Sequence, residues 1–137
     1  MTRLDHDRAL WQVAEKTGSA VADIAKVVIW GNHSPTMSPD LGWATVKGQP
    51  ALDLVGNDWY INKFIPRVQK RGAEIIDARG SSSAASAGNA AIAHMRSWFQ
   101  GHKNDWVSFG AWSNNNPYNI PDGVFYSFPV TVSNKNW

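Results

Sequence analysis

The segment "VVIWGNHSPT", from Val27 to Thr36, guides the interpretation of the rest of the chain. Its first four residues are β-branched or aromatic and do not alternate with polar residues, which is typical of a buried strand. Gly31 follows and permits a tight backbone turn, and a loop containing Pro35 and Pro39 comes next. The pattern therefore predicts a buried strand that leads directly into His33, at a point where a side chain can face a crevice.

The position of His33 favours a functional role, because imidazole is the side chain whose charge changes near neutral pH. A lone histidine is also commonly a hydrogen-bonded structural residue. Likewise, Gly31 is either an ordinary turn glycine or a residue that lets the backbone approach a ligand closely. The strand end alone does not separate these alternatives.

A helix is predicted before this strand. Thr2 is a candidate N-cap with Asp5 three residues later, and an apolar face continues until Gly18 ends the helix. Asp5 and Arg8 are three residues apart, so they share one helical face. A carboxylate and a guanidinium are therefore expected side by side.

The remainder of the chain predicts more helices and then strands. Residues 46–54 indicate a small hairpin or strand pair, and Asp58 begins a long helical pattern in which Pro66 and Gly72 predict a kink or a division. A second helix is predicted over 84–98. The last predicted elements are two antiparallel strands, 106–112 and 124–132. The expected fold is one α+β domain, residues 1–137, with helices packed on an antiparallel sheet.

Composition excludes several classes of function. With 13 basic and 11 acidic residues the net charge is +2 and no block of like charges occurs, so nucleic acid is not an expected partner. The absence of cysteine excludes disulfides and thiolate metal sites, and no HExxH pattern is present, so no metal is expected. No apolar run reaches the roughly 20 residues of a membrane span and no signal peptide is visible, which favours the cytoplasm.

Three segments taken together resemble a known family. They are "RLDHDRALWQVAEKTG" (3–18), "VVIWGNHSPT" (27–36) and "RGAEIIDARGSSSAASAGNAA" (71–91). In order and spacing they resemble the carboxyl-terminal, substrate-binding half of NAD-dependent malate dehydrogenases of the cytosolic and bacterial type. The end of the chain, from "VSFGAWSNNNP" onward, looks like the terminal strands of the same family.

The resemblance implies a site that interconverts oxaloacetate and malate with NAD as the cofactor. It implies that His33 exchanges a proton with the substrate oxygen while hydride is transferred, and that Asp5 holds the other ring nitrogen. Arg8 matches the arginine that grips the substrate carboxylate. Asn32 is expected to bind substrate, and Ser82, at a helix amino end, is expected close to both substrate and nicotinamide.

Chemical principles support these roles independently. Imidazole has an ordinary pKa near 6.5, so it suits proton transfer in both directions, and a neighbouring carboxylate favours its charged form. A planar guanidinium matches a carboxylate in a way that a lysine does not.

The resemblance covers only part of the family's architecture. The nucleotide-binding half, the mobile loop with its arginines and the final helix have no counterpart in this sequence, so the chain is expected to be a fragment without activity by itself. The missing nucleotide-binding domain is one expected partner and a second copy, in a homodimer, is another. The residues that distinguish NAD from its phosphorylated form belong to the missing half.

Two other functions compete with this interpretation. Asp5, His33 and one serine of 81–83 could form a hydrolase triad, although the GxSxG pattern of a nucleophile elbow is absent. Alternatively, the eight tryptophans could form a noncatalytic stacking surface for sugars or bases, with His33 structural. Neither alternative explains why LDxxR and IWGNHS occur together.

Overall fold

A computed structural model describes residues 1–102 and 105–137. The described residues form five α-helical segments: α1 Thr2–Thr17, α2 Ala51–Val55, α3 Asn57–Trp59, α4 Ile65–Arg79 and α5 Ala84–Gln100. The described strands are β1 Ile24–Ala25, β2 Val28–Trp30, β3 Ser38–Asp40, β4 Thr45–Val46, β5 Gln49–Pro50, β6 Val107–Trp112 and β7 Phe125–Val130. A short 3₁₀ turn, Val21–Asp23, precedes β1, and a π-helical turn, Tyr60–Phe64, joins α3 to α4.

All described strand pairs are antiparallel, which confirms the predicted α+β class. The longest pair is β6 with β7, in a register that runs from Val107 opposite Val130 to Trp112 opposite Phe125. β2 pairs with β3, and the bridge between Gly31 and Ser127 connects the end of β2 to β7. The strand that precedes His33 is therefore anchored on two sides.

Helix α1 has the predicted length but a different cap. Thr2 is the first helical residue and is buried, whereas Met1 occupies the cap position and its carbonyl accepts the N–H of Leu4 at 3.0 Å. The prediction of a Thr2 N-cap was therefore wrong, because the backbone already supplies that hydrogen bond. Gly18 ends the helix as predicted, with a φ of 66° that favours glycine.

Two further elements differ from the sequence prediction. The predicted strand pair over 46–54 forms a hairpin that ends at Pro50. The helix α2 begins at Ala51, because this residue is fully buried and packs the segment 51–55 into the core. The long helix is divided next to Pro66, as predicted, whereas α4 continues through Gly72 without a division. The irregularity is the π-helical turn just before Pro66, where the missing proline N–H is tolerated at the start of α4.

The core is built around α1 and β2. Val27, Val28 and Ile29 are at most 2% exposed, as expected for a strand covered on both faces. Val13 of α1 and Phe64 of the π-helical turn are fully buried in the same cluster as Ile29. A second cluster forms on β6 and β7. Among the described residues no helix combines the length and apolarity that crossing a bilayer would require.

A buried histidine connects three of these elements. The His6 Nδ1 atom of α1 lies 3.0 Å from the Ser108 hydroxyl of β6, and that hydroxyl accepts the N–H of Ile29 in β2 at 2.9 Å. Burial away from water lowers the pKa of His6 to about 3, with smaller contributions from Arg3 and His102. His6 is therefore a neutral structural residue at physiological pH.

Acidification is expected to destabilise the fold through His6. Its folded-state pKa of about 3 lies below the ordinary 6.5, so as pH falls below 6.5 the unfolded chain takes up a proton that the folded chain does not. The free energy of unfolding should fall by about 3 kcal/mol between pH 6.5 and 4 from this group alone. Urea unfolding of the natural protein and of His6→Gln over this range measures it. A pH dependence that is as steep in His6→Gln would contradict the assignment.

Candidate active site

Asp5 and His33 meet across 28 positions of sequence. The Asp5 Oδ2 atom lies 2.6 Å from His33 Nδ1, a length typical of a strong charge-assisted hydrogen bond. Asp5 projects from the first turns of α1, whereas His33 follows β2. The predicted partnership between these two residues is therefore present in the structure.

The Asp5 carboxylate is completely buried, with 0% of its side chain exposed. Burial raises its pKa, and the hydrogen bond from His33 and the charges of His33 and Arg8 act in the opposite direction. Its second oxygen, Oδ1, has no hydrogen-bond partner among the described residues, and the closest cation is Arg8 Nη1 at 3.7 Å. The carboxylate thus faces both the imidazole and the guanidinium.

Arg8 is held beside a small cavity. Its side chain is 12% exposed and contributes to a cavity of about 240 Å³ between α1, α4 and α5. Burial lowers the pKa of Arg8, and so does the positive charge of Arg71, whereas the Asp5 carboxylate raises it. Gly72 of α4 approaches closely: a Cβ placed there would lie 3.5 Å from Arg8 Nη1. The Arg8 guanidinium is therefore largely shielded from water, and the Asp5 carboxylate balances only part of its positive charge.

A compact loop presents the imidazole. Gly31 has a φ of 99°, a conformation that favours glycine, which supports its interpretation as a turn residue. Ser34 donates a hydrogen bond to the Asn32 side-chain oxygen at 2.9 Å, and the Ser34 and Thr36 hydroxyls are 2.6 Å apart. The His33 side chain remains 44% exposed. The ring is thus tethered at Nδ1 while much of it stays open to solvent.

The structure does not bring every predicted residue into this cluster. Asn32 lies next to His33, is exposed, and has its amide oxygen engaged by Ser34. Ser82 precedes α5, whose cap position is Ser83, and it forms no hydrogen bond to Asp5, Arg8 or His33 within the described part of the chain. Ser86, one turn into α5, is the serine that lines the Arg8 cavity.

Sequence reasoning missed Ser86 and Arg71. Both line the cavity beside Arg8. Ser86 is three residues beyond Ser83, and its hydroxyl donates to the Ser83 carbonyl oxygen at 2.9 Å. Ser83 and Ser86 are three residues apart at the start of a predicted helix, so they share one face. This spacing is the signal that could have identified Ser86.

The hydrolase triad receives no support from the described contacts, and three of the eight tryptophans pack against other aromatic rings. None of Ser81, Ser82 and Ser83 forms a hydrogen bond to His33 within the ranges 1–102 and 105–137. Trp30, Trp59 and Trp98 pack against Tyr118, Phe64 and Phe109, so these three tryptophans fill or flank the core. No group of three His, Asp or Glu residues in the described segments could hold a metal ion.

The arrangement is suited to proton transfer next to an anion. A carboxylate at Nδ1 fixes which ring nitrogen carries the tethered proton and stabilises the imidazolium form, and the other nitrogen, Nε2, is left for a substrate. The nearby guanidinium provides a paired set of donors for a carboxylate. These two groups have the chemistry that a substrate with a reacting oxygen and a carboxylate requires.

Comparison with known proteins identifies the same class. The family model described as lactate/malate dehydrogenase, alpha/beta C-terminal domain, matches residues 2–137. Malate dehydrogenase from Naegleria fowleri is 53% identical with a TM-score of 0.88, over 96% of this chain and 40% of that one.

Lactate dehydrogenases match as well. The Trichomonas vaginalis enzyme, solved in complex with NADH and oxamate, is 37% identical with a TM-score of 0.90, over 96% of this chain and 42% of that one. Malate dehydrogenase from Salinibacter ruber is 27% identical with a TM-score of 0.75, over 94% of this chain and 41% of that one. The chain therefore spans about two fifths of the length of these solved relatives.

Proposed function

This chain belongs to the lactate/malate dehydrogenase family, and we propose that it is the catalytic domain, residues 1–137, of an NAD-dependent malate dehydrogenase. The observation that carries the proposal is the convergence of Asp5, His33 and Arg8, with the 2.6 Å contact at its centre. The greater identity to a malate dehydrogenase, 53% against 37% for a lactate dehydrogenase, favours malate and oxaloacetate as the substrates.

His33 is the proposed proton donor and acceptor. Because Asp5 occupies Nδ1, the proton that moves is the one on Nε2. It passes to the ketone oxygen when oxaloacetate is reduced and returns from the malate hydroxyl in the reverse reaction. Asp5 stabilises the imidazolium and keeps the ring in its orientation, so Asp5 is a positioning residue.

NAD(H) is the proposed cofactor, and when bound it supplies or accepts the hydride. An open, half-exposed imidazole fits a cofactor and substrate that approach from one side, and a solved relative from Trichomonas vaginalis contains NADH. His33 and Ser82 are the residues of this chain proposed to lie closest to the nicotinamide. A separate nucleotide-binding domain is proposed to complete the cofactor site.

Substrate is held by this chain at one carboxylate. The Arg8 guanidinium is proposed to form a two-pronged pair with it, in a setting where low exposure strengthens the attraction. Asn32 adds an amide donor, since its oxygen is already occupied by Ser34. Ser82 is proposed to contribute a hydroxyl when the site is complete.

Activity toward pyruvate is the alternative, because a lactate dehydrogenase also matches over 96% of the chain. For the complete protein that carries this chain, kcat/KM with oxaloacetate is expected to exceed that with pyruvate by about 10²-fold or more, since charge recognition discriminates strongly. Steady-state assays with NADH and each keto acid measure the ratio. A ratio below one would identify a lactate dehydrogenase instead.

We also propose that the protein acts as a homodimer. Large apolar side chains are exposed on α1 and α5, namely Trp11, Ile92, Met95 and Phe99. Exposed apolar surface of this kind marks association sites. Sedimentation equilibrium of the complete protein tests this proposal, and a monomer at micromolar concentration would contradict it.

A further inference from the structure

Four of the ten residues that line a cavity on the other side of Gln12 from the Arg8 site are cations. The cavity has a volume of about 590 Å³ and lies between the carboxyl-terminal half of α1 and the segment from Trp59 to Glu74. We call it the basic groove, defined by Lys16, Trp59, Lys63, Arg67, Lys70 and Glu74. None of these residues belongs to the proposed catalytic site.

The charges of the basic groove are unbalanced. Four cations face only two carboxylates, Glu15 and Glu74. Glu74 is already engaged, since its Oε2 atom lies 2.8 Å from both Arg67 Nε and Arg71 Nη1. Lys63 and Lys70 form no ion pair with any residue in the described part of the chain. The groove therefore carries unpaired positive charge.

The positive charges are concentrated on one helical face at a cost to stability. Lys63, Arg67 and Lys70 follow one another at intervals of four and three residues, so they project from the same side. Like charges at this spacing destabilise a helix by about 0.2–0.5 kcal/mol per pair. Lys63 also lies in the π-helical turn Tyr60–Phe64, and such turns are rare and occur often at functional sites. Both features are explained if the groove holds an anion.

The side chains favour phosphoryl groups over carboxylates. Lys16, Lys63 and Lys70 have no ion-pair partner in the described part of the chain, and a phosphoryl group, with a charge of about −1.5 to −2 at pH 7, balances more of this excess than a carboxylate does. Lys16 is held over the Trp59 ring, with Nζ 5.8 Å from its centroid, which fixes one ammonium at the edge of the groove. We propose that the basic groove is a second ligand site that binds a small molecule bearing two or more phosphoryl groups.

Isothermal titration of the complete protein with inorganic pyrophosphate and with tripolyphosphate tests this site. The test variant is Lys63→Gln/Lys70→Gln. The control is Lys47→Gln/Lys135→Gln, which removes the same charge from exposed lysines outside the groove. Arg67 is left in place because its loss would remove one of the two cations paired with Glu74, whose other partner is Arg71 of the Arg8 cavity. All four lysines are exposed, so both double variants should fold, and the groove variant should melt at the natural temperature or slightly above it, because like-charge repulsion is removed.

The natural protein should bind tripolyphosphate with a sub-millimolar Kd. The groove variant should bind at least tenfold more weakly, the control within twofold, and citrate at least tenfold more weakly than tripolyphosphate. Absence of binding by the natural protein, equal weakening in both double variants, or equal affinity for citrate would each overturn the proposal. Oxaloacetate reduction by the groove variant reports separately on the catalytic site, so the two proposals can fail independently.

Discussion

Replacing His33 with glutamine is expected to lower kcat for oxaloacetate reduction by about 10²–10⁴-fold, the usual contribution of general acid–base catalysis. Glutamine retains hydrogen-bonding groups but has no ionisable nitrogen to exchange the proton. Because the His33 side chain is 44% exposed and lies outside both core clusters, the fold should be retained. Rapid-mixing and steady-state assays of the complete protein at saturating NADH measure the change.

His102→Gln is the matched control, because it removes an imidazole that lies at the end of α5 and forms no contact with Asp5 or Arg8 among the described residues. Its kcat should change by less than about threefold, which lies well below a general acid–base contribution. Asp5→Asn should resemble His33→Gln more than the control, since the amide no longer stabilises the imidazolium. A His33→Gln enzyme with natural kcat would remove His33 from the mechanism.

Substitution of Arg8 by lysine is expected to lower kcat/KM for oxaloacetate by about 10²-fold, or about 3 kcal/mol. The charge is retained, but the ammonium cannot form the two parallel hydrogen bonds of a guanidinium. The lysine ammonium also reaches less far than the guanidinium. Asp5 Oδ1 has no hydrogen bond, and in this variant it also loses its nearest cation, which is Arg8 Nη1 at 3.7 Å in the natural protein. The loss should appear mainly in KM if Arg8 binds the ground state and transition state equally.

Arg79→Lys provides the comparison for this substitution. Arg79 is an exposed arginine at the end of α4, so its replacement makes the same chemical change away from the Arg8 cavity. Its kcat/KM should stay within about twofold of the natural value, because surface charges away from a site contribute little. If both arginine variants lose activity equally, the loss does not depend on the position of Arg8, and Arg8 has no specific role.

Two local patterns made the parts of the site predictable, whereas the contact between Asp5 and His33 was expected only from the family resemblance. The LDxxR spacing places Asp5 and Arg8 on one turn of α1, and the apolar run 27–30 with Gly31 ends a strand next to His33. The long pair β6 and β7 was likewise predictable, because its residues are β-branched and aromatic and its connecting loop is polar. In each case the local sequence pattern agrees with the tertiary packing.

The errors arose where tertiary packing overrides a local pattern. Residues 51–54 contain alternating apolar positions, yet Ala51 is fully buried and the segment is helical. Gly72 was expected to kink or divide the long helix, but α4 runs through it from Ile65 to Arg79. Ser86 was not recognised, because the serine run 81–83 gives no indication of which hydroxyl faces a cavity formed by two other helices, and Ser82 stays a prediction.

The hydrogen bond between Asp5 and His33 is the central claim, and ¹⁵N-edited NMR of the histidine ring in the complete protein tests it most directly. A 2.6 Å contact to a buried carboxylate predicts a ring in which Nδ1 carries a proton with a strongly downfield resonance that exchanges slowly with water. Asp5→Asn should abolish that resonance while the signals of His6 remain. An Nδ1 atom without a proton in the natural protein, or an unchanged resonance in Asp5→Asn, would contradict the account.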